Sequence, residues 1–293
     1  MPETPKQTRK PAWIRSKVPV NENYKLVRRE LKARGLCTVC EEARCPNLGE
    51  CWENRTATIM ILGDTCTRAC KFCNVKSGNP GGALDPGEIK NTSEMVGIMK
   101  LRHVVITSVD RDDLEDRGAG HFARVVEEIR KNHPEVKVEV LVPDFCGTPR
   151  HMHVLARSNP FVIAQNIEVV KRLTDIARDR RAGYEQTLSV LAFYKKNYPH
   201  IVTKSSLMVG LGETTEEVIE TMRDLRKSEV DILTIGQYLQ PAKWNLEVVR
   251  YYSLAEFDEF KRAALDFGFK FVASGPLVRS SYRAADSLAF TEK

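Results

Sequence analysis

Three cysteines stand close together in the segment Cys66-Thr-Arg-Ala-Cys70-Lys-Phe-Cys73, at the spacing C-x3-C-x2-C. Iron–sulfur clusters are held by cysteine thiolates, and a cube of four irons uses four ligands. A triplet would therefore leave one iron open to a small molecule. Zinc sites usually show C-x2-4-C pairs with a matching second pair or histidines, and no paired half follows this triplet. The spacing therefore favours a catalytic iron–sulfur cluster over zinc.

A second group of cysteines precedes the first and allows two interpretations. Cys37 and Cys40 form a C-x2-C pair, which alone would suit zinc or redox chemistry. Cys40, Cys45 and Cys51 form a C-x4-C-x5-C triplet, which would again supply three thiolates for one cube. The spacing by itself favours the triplet only slightly. Seven of the eight cysteines lie between Cys37 and Cys73, and such clustering indicates metal ligation rather than disulfides.

The elements around the first triplet place it at the end of a strand. Residues 57–63 form an apolar, partly β-branched run closed by a glycine, which predicts a short buried strand. Strand-like runs follow at 104–107, 136–142, 161–164, 203–208, 231–235 and 270–273. Helix-like runs lie at 21–34, 122–131, 184–198, 214–226 and 253–267. The last two helices open with capping boxes that begin at Thr214 and Ser253.

This alternation of strands and helices predicts right-handed crossovers and a parallel sheet. About six such units, with no internal repeat, predict a partial α/β barrel. Loops at the C-terminal ends of barrel strands carry chemistry, and the first triplet lies on such a loop.

Composition and charge narrow the range of functions. A net charge of +6 over 293 residues is too small to indicate a nucleic-acid partner, although it favours an acidic protein partner. The sequence has no apolar stretch long enough to span a bilayer and no apolar core of a signal peptide. We therefore expect no membrane association. Thiols that must stay reduced predict a cytoplasmic location.

The two triplets together resemble the paired signature of the lipoyl synthases, a family of radical S-adenosylmethionine (SAM) enzymes. This resemblance selects the triplet over the pair in the second group. It covers roughly residues 21 to 285, nearly the whole chain. Further segments that are similar to the family lie at 56–58, 60–64, 107–114, 118–122, 143–145, 210–214, 236–241 and 275–282.

The resemblance implies the ligands of two [4Fe-4S] clusters. The radical SAM cluster, whose open iron binds SAM, would be held by Cys66, Cys70 and Cys73. The auxiliary cluster would be held by Cys40, Cys45, Cys51 and a serine of Arg279-Ser-Ser-Tyr282. We prefer Ser281 to Ser280, although the sequence does not decide between them. A serine oxygen is a harder ligand than a thiolate and suits this iron less well, so the tethered iron could depart.

The resemblance also implies contacts to SAM from the ends of two predicted strands. Asn166 is one candidate, although Gln165 stands where a histidine commonly precedes the asparagine in the family. Gly210, Gly212 and Glu213 are the others, because glycines admit a close ligand and a helix N-terminus can take a carboxylate. A tight turn is the alternative role of this second segment.

The fold implied by the resemblance is an α/β fold, a partial (β/α)6 TIM-like barrel of the radical SAM type, with N-terminal and C-terminal extensions. We expect an arm at 1–20, an auxiliary-cluster extension at 21–55, the barrel at 56–275 and a tail at 276–293 that carries the ligand serine.

The implied reaction is sulfur insertion at C6 and C8 of a protein-bound N6-octanoyl-lysine, with the auxiliary cluster consumed as the sulfur donor. An adenosyl radical would remove one hydrogen atom before each insertion, so no general base is needed. The implied partners are octanoylated lipoyl carrier domains, on 2-oxoacid dehydrogenase acyltransferase subunits or the glycine cleavage H protein. A flavodoxin- or ferredoxin-type reductant and a cluster-repair protein would also be required.

Two other functions remain as alternatives on the sequence alone. One is a different two-cluster radical SAM enzyme that modifies a peptide or RNA. The other is a non-enzymatic zinc-binding module that binds RNA or protein. Three further features have either several possible roles or no expected role in the reaction. The segment Asp110-Arg-Asp-Asp113 would hold a cation, organise the substrate entrance or form a salt-bridged loop. His151 and His153 are expected to face solvent, and Cys37 and Cys146 are expected not to be ligands.

Overall fold

A mostly parallel sheet forms the centre of the protein. The computed structural model describes residues 10–15, 22–54, 57–282 and 284–286. Within these residues the strands are β1 Cys37–Thr38, β2 Thr58–Ile61, β3 Thr65–Cys66, β4 Lys76–Ser77, β5 His103–Ser108, β6 Lys137–Leu141, β7 Val162–Ala164, β8 Val202–Val209, β9 Ile232–Gln237 and β10 Phe271–Gly275. The main sheet has eight of them, in the order β1-β2-β5-β6-β7-β8-β9-β10, and β3 pairs with β4 in a separate ribbon.

Helices connect the parallel strands. They are α1 Glu22–Ala33, α2 Val39–Glu42, α3 Leu48–Glu53, α4 Glu88–Met99, α5 Ala119–Asn132, α6 Pro149–Arg157, α7 Thr174–Ala177, α8 Tyr184–Asn197, α9 Thr215–Lys227 and α10 Leu254–Asp266. Two 3-10 turns lie at Phe145–Gly147 and Lys171–Leu173. Neighbouring helices pack on one another, as α4 does on α5 and α5 on α6. No helix in the described ranges has both the length and the apolar character needed to cross a bilayer.

The sheet is an open barrel wall rather than a closed barrel. Every pairing from β2 to β10 is parallel, and only the edge strand β1 runs antiparallel to its neighbour β2. The predicted partial α/β barrel is therefore confirmed. The N-terminal extension contributes β1 to the same sheet, with Cys37 opposite Met60 and Thr38 opposite Ile59. The second cysteine group is thereby joined directly to the barrel.

The strand ends differ from the predicted ones for local reasons. The run predicted at 57–63 forms a strand only from Thr58 to Ile61, because Leu62 and Gly63 adopt positive φ angles of 69° and 87°. Left-handed backbone cannot continue a strand. This turn sends the chain directly into the first cysteine triplet.

The two predicted capping boxes are present and fix the starts of α9 and α10. The Thr214 hydroxyl accepts from the Glu217 N–H, and the Glu217 carboxylate accepts from the Thr214 N–H. Ser253 and Glu256 form the same reciprocal pair. Of the predicted N-terminal arm at 1–20, only residues 10–15 are described, and the tail at 276–293 is described as far as 286 with a gap at 283.

Candidate active site

The Cys66–Cys73 loop lies at the carboxyl end of the parallel sheet. It begins in β3, immediately after the turn that ends β2. Its backbone is tied to segments that follow two other strands, since the Thr67 N–H donates to the Asp110 oxygen at 2.9 Å and the Lys71 N–H to the Ala177 oxygen at 2.8 Å. The loop is therefore fixed by the chain that leaves β5 and β7.

The three cysteines of this loop line one cavity of about 320 Å³. Backbone N–H groups point at two of the sulfurs. Cys66 Sγ accepts from the N–H groups of Arg68 and Asp110 at 3.4 and 3.3 Å, and Cys70 Sγ accepts from the Asp179 N–H at 3.3 Å. Such donors stabilise a metal-bound thiolate and tune the potential of a cluster.

Burial keeps these thiols protonated until a metal takes the place of the proton. It raises the pKa of Cys66 and of Cys70 to about 12, and that of Cys73 to about 11. Metal ligands must be deprotonated, so a cation has to be present for these sulfurs to become thiolates. The all-sulfur donor set and the N–H groups aimed at it fit a three-cysteine [4Fe-4S] cluster.

A buried arginine inside the loop holds the surrounding segments together. The Arg68 guanidinium pairs with Asp144 at 2.8 Å and with Asp112 at 3.0 Å, and it lies 3.3 Å from Asp110. These carboxylates follow β5 and β6, so one cation clamps two strand ends to the cysteine loop. No role was predicted for Arg68 or Asp144. The available signals were the position of Arg68 inside the cysteine triplet and that of Asp144 shortly after a predicted strand.

The segment from Asp110 to Asp113 forms a salt-bridged loop. The carboxylates of Asp110 and Asp112 face Arg68. Asp113 pairs with Arg111 at 2.8 Å. Of the three roles considered for this segment, the salt-bridged loop is the one observed. The Asp110 carboxyl is also 3.9 Å from Cys66 Sγ, and burial raises its pKa to about 6.

The second triplet lines a separate, smaller cavity of about 20 Å³. Its lining includes the three cysteines and the preferred serine, namely Cys40, Cys45, Cys51 and Ser281. Ser280 instead lines the larger cavity, and Cys37 lines neither. Burial raises the pKa of Cys40 to about 11 and also raises the pKa of Cys45. Three thiols and one hydroxyl in the lining of one small cavity fit the four-ligand set expected for the auxiliary cluster.

The C-terminal tail is fastened to this second cavity by side-chain contacts. The Asn47 amide donates to the Leu277 oxygen at 2.7 Å, and the Tyr282 hydroxyl donates to Glu50 at 3.0 Å. The tail also runs over β9, where a Cβ on Gly236 would overlap with the Val278 carbonyl oxygen. A glycine is therefore required at position 236 for the tail to pass so close.

Arg279 lines both cavities and so forms the wall between them. Its guanidinium donates to the Val278 carbonyl oxygen at 2.6 Å and makes no ion pair with any described carboxylate. Burial lowers the pKa of Arg279, which the Cys45 sulfur partly opposes. A cation in such a place needs a negative partner, and an anionic cluster would supply one.

The predicted SAM contacts are separated by the structure. Asn166 lines the larger cavity, where its Nδ2 donates to Glu168 at 3.0 Å and its buried Oδ1 has no partner among the described residues. Gly210, Gly212 and Glu213 are absent from the described lining. The Glu213 carboxylate accepts from the N–H groups of Gly210 and Leu211, so those donors are already used. Contacts of these residues with SAM stay predictions.

The histidines, Cys37 and Cys146 are not part of the described lining of either cavity. The expectation that His151 faces solvent is wrong, because His151 lies on the buried face of α6, and His153 is half-buried with its Nδ1 2.8 Å from the Tyr198 hydroxyl. Cys146 is exposed beside Arg68 and Asp112. In the part of the chain that the structure describes, no group of three or more His, Cys, Asp or Glu side chains is arranged to hold a single metal ion.

Two family models match the chain. The model described as "Radical SAM superfamily" matches residues 60–225, which include the Cys66–Cys73 loop. The model described as "N-terminal domain of lipoyl synthase of Radical_SAM family" matches residues 2–45. The two matches together include the whole first triplet, and Cys40 and Cys45 of the second.

Curated relatives are similar to the chain over nearly its whole length. A lipoyl synthase of Marinobacter nauticus is 55% identical over 276 residues, which are 94% of this chain and 79% of that protein. A lipoyl synthase of Thermus thermophilus is 53% identical over 280 residues, covering 96% of this chain and 87% of that protein.

Solved structures share the fold at low sequence identity. Methylornithine synthase (PylB) matches with a TM-score of 0.54 at 13% identity, over 90% of this chain and 81% of that chain. SuiB of Streptococcus suis, solved with S-adenosylmethionine bound, matches with a TM-score of 0.55 at 10% identity, over 78% of this chain and 53% of that chain. These likenesses concern the fold alone.

Proposed function

This chain belongs to the lipoyl synthase family of the radical SAM superfamily, and we propose that its two cysteine triplets hold the family's two [4Fe-4S] clusters. The enzyme inserts sulfur at C6 and C8 of a protein-bound N6-octanoyl-lysine to give the lipoyl cofactor. When bound, the radical SAM cluster supplies the electron that cleaves SAM to the adenosyl radical, and the auxiliary cluster supplies the two sulfur atoms. One observation carries the assignment of residues: the two sets of ligands line neighbouring cavities that share Arg279 as a wall.

In this assignment, the Cys66–Cys73 loop holds the radical SAM cluster through Cys66, Cys70 and Cys73. The N–H groups that point at two of the sulfurs stabilise their thiolates. Arg68 keeps the loop in place through its carboxylate partners. Asn166 is the nearest candidate for binding SAM, because its buried amide oxygen lines the same cavity and is unpaired within the described chain.

Cys40, Cys45, Cys51 and Ser281 hold the auxiliary cluster in the same proposal. The serine is the weakest of the four ligands, because an alcohol oxygen suits iron–sulfur iron less well than a thiolate does. The Thr58 hydroxyl lies 2.8 Å from Ser281 Oγ and can hold the serine when it is not bound to iron. Arg279 balances the negative charge of the cluster from the side that faces the larger cavity.

The larger cavity suits an octanoyl chain. Apolar side chains line much of it, including Met60 and Met208 from strands and Phe72, Val142 and Leu239 from loops. Such a lining keeps reactive groups away from a carbon radical and so limits side reactions. The chain would reach the cavity wall at Arg279, directly beside the proposed sulfur source.

The substrate is carried by lipoyl carrier proteins in general. We propose that they include 2-oxoacid dehydrogenase acyltransferase subunits and the glycine cleavage H protein. A flavodoxin- or ferredoxin-type protein would supply electrons, and a cluster-repair protein would rebuild the consumed cluster. All eight cysteines are unpaired, which supports a reducing compartment and hence the cytoplasm.

The two proposed clusters also suggest how the chain divides into functional segments. We propose that 21–55 forms the auxiliary-cluster extension, 56–275 the barrel and 276–293 the tail that brings the ligand serine. The pairing of β1 with β2 and the hydrogen bond from Thr58 to Ser281 support this division, since they bring both extensions to the first barrel strand.

One anaerobic experiment tests the assignment. The reconstituted enzyme is incubated with an octanoylated carrier domain, SAM and a reductant, and iron and sulfide are counted before and after one turnover. We expect a carrier mass gain equal to two sulfurs and the loss of one cluster's sulfide. A chain with Cys40, Cys45 and Cys51 all changed to Ala should still form 5′-deoxyadenosine but transfer no sulfur. A chain with Cys37 and Cys146 changed to Ala is the matched control, and sulfur transfer by the first variant would refute the assignment.

A further inference from the structure

Trp244 is 77% exposed, more than any other large apolar side chain in the described residues. It lies in the segment that follows β9, at the same end of the sheet as the Cys66–Cys73 loop. Removing so much aromatic surface from water is favourable, and tryptophan is enriched at the centres of protein interfaces. The surface around Trp244 is therefore a candidate protein interface if further exposed apolar side chains lie near it.

Hydrogen bonds join the Trp244 segment directly to the cysteine loop. The side-chain amide of the next residue, Asn245, donates to the Cys73 oxygen at 2.8 Å and to the Lys71 oxygen at 3.1 Å. The Leu246 N–H also donates to the Lys71 oxygen, at 3.1 Å. The exposed tryptophan is thus one residue away from a residue that contacts a proposed cluster ligand.

A second exposed apolar side chain lies on the other side of the loop. Ile176 is 49% exposed, and the oxygen of its neighbour Ala177 accepts from the Lys71 N–H at 2.8 Å. The Ala69 N–H donates to the Asp179 carboxylate at 3.0 Å. We define the cysteine-loop face as the exposed residues gathered by these contacts, namely Ala69, Lys71, Ile176, Arg180, Lys243 and Trp244.

The cysteine loop is a thin wall between this face and the larger cavity. Cys70, Phe72 and Cys73 line the cavity, whereas Lys71, which stands between them in the sequence, is exposed on the outside. Trp244 and Ile176 are not part of the described lining. An electron that arrives at this face has only the loop to cross before it reaches the proposed radical SAM cluster.

The charges on this face favour an acidic partner. Lys71, Arg180 and Lys243 are exposed there, against the exposed carboxylates of Asp175 and Glu247. A net positive patch steers a negatively charged protein and increases its rate of association. The two apolar side chains on either side of Lys71 would supply the buried contacts.

We propose that the cysteine-loop face is the docking site of an acidic one-electron carrier protein. This proposal rests on the function proposed above, since it assumes that the loop holds the cluster that cleaves SAM. In the step, the carrier loses one electron and the cluster gains one, with no bond made or broken in either protein. An octanoylated carrier domain suits this face less well, because its acyl chain must enter a cavity that Trp244 and Ile176 do not line.

The test compares two reductants on the same enzyme. A low-potential flavodoxin in its hydroquinone form is the protein reductant, and dithionite is the small one that needs no docking site. The rate of 5′-deoxyadenosine formation is measured with each for W244S and for K243E. We expect the ratio of the flavodoxin-supported rate to the dithionite-supported rate to fall by about tenfold or more, as for the loss of an interface hot spot. The flavodoxin-supported rate of the parent should also fall with added salt, and less so in K243E.

Matched controls come from α10, where Leu265 is 45% exposed and Lys261 is exposed. L265S and K261E make the same changes of chemistry away from the loop and should leave the ratio unchanged. An unchanged ratio in W244S and K243E would overturn the proposal, as would an equal fall with both reductants or a loss of carrier-domain binding instead. A parent enzyme that forms no 5′-deoxyadenosine even with dithionite would instead contradict the proposed function itself.

Discussion

The Thr58 hydroxyl donates a hydrogen bond of 2.8 Å to Ser281 Oγ and so joins the first parallel strand to the C-terminal tail. This contact distinguishes Ser281 from the adjacent Ser280, which the sequence alone does not do. Ser281 lines the small cavity with the second cysteine triplet, whereas Ser280 lines the large one. The observed geometry thus supports the proposal that Ser281 is the fourth ligand.

Replacing Ser281 should destabilise only the auxiliary cluster. In S281A one iron loses its protein ligand, so we expect lower iron content and no sulfur transfer, while 5′-deoxyadenosine formation continues. S281C supplies a softer thiolate, which should retain the iron but slow sulfur release. Iron and sulfide analysis with Mössbauer spectroscopy checks both expectations. S280A is the matched control, and an equal loss of iron in S280A would argue against the assignment.

Gly236 should be needed for the position of the tail. A methyl group in G236A would overlap with the Val278 carbonyl, so the tail must move away from β9 at a cost of about 1–3 kcal/mol. We expect the auxiliary cluster to be lost more readily and the tail to be cut faster by a protease.

Gly275 offers a close control for this substitution. It lies opposite Gly236 in the pairing of β9 with β10, and a Cβ there would lie 3.5 Å from Val278 Cγ2, an ordinary contact. G275A should therefore keep its cluster and its resistance to proteolysis. Equal sensitivity of the two variants would mean that the close approach at Gly236 does not position the tail.

Local signals predicted much of the fold because their causes are local. The capping boxes at Thr214 and Ser253 each depend on a residue three positions away, and both were found as expected. The helix α4 was not predicted, because Glu88, Thr92 and Ser93 lie on its buried face. Glu88 is buried since it accepts from the Leu62 N–H and faces His121, and neither partner is near it in sequence.

The site could be predicted as a set of candidate ligands but not as an arrangement. Cysteine spacing and family resemblance predicted which residues would bind metal, since ligand type and spacing are visible in the chain, and the structure places each triplet in the lining of one cavity. The clamp formed by Arg68 was not predictable, because Asp112 and Asp144 lie 44 and 76 residues away in sequence. The position of Arg279 between two cavities likewise depends on how the tail folds back over β9.

Glu139 should be essential to stability at neutral pH. It is buried between Lys204 at 2.7 Å and His103 at 3.3 Å. Burial alone would raise the pKa of Glu139, but Lys204 and His103 outweigh it and lower the pKa. The stabilisation is therefore complete above the ordinary glutamate value of about 4.3 and is lost as the pH falls through the lower folded value.

At pH 7 the E139Q variant leaves Lys204 as a buried charge without its partner, which should cost about 3–5 kcal/mol. Anaerobic urea unfolding measures the change. The double variant E139Q/K204M removes both charges and should recover part of the loss. E22Q breaks the exposed pair with Lys25 and serves as the control, with almost no expected change. A single variant as stable as the parent would show that the buried pair contributes little.

Arg279 should set the potential of the auxiliary cluster. R279M removes a positive charge beside an anionic cluster and keeps a similar side-chain length, so the reduction potential should become more negative by on the order of 100 mV. R279K keeps the charge and should show a smaller shift. The measurement is an electrochemical titration followed by electron paramagnetic resonance, in a chain where Cys66, Cys70 and Cys73 are changed to Ala. R262M, at an exposed position on α10, is the control. Equal potentials in R279M and R262M would mean that the guanidinium does not act on the cluster.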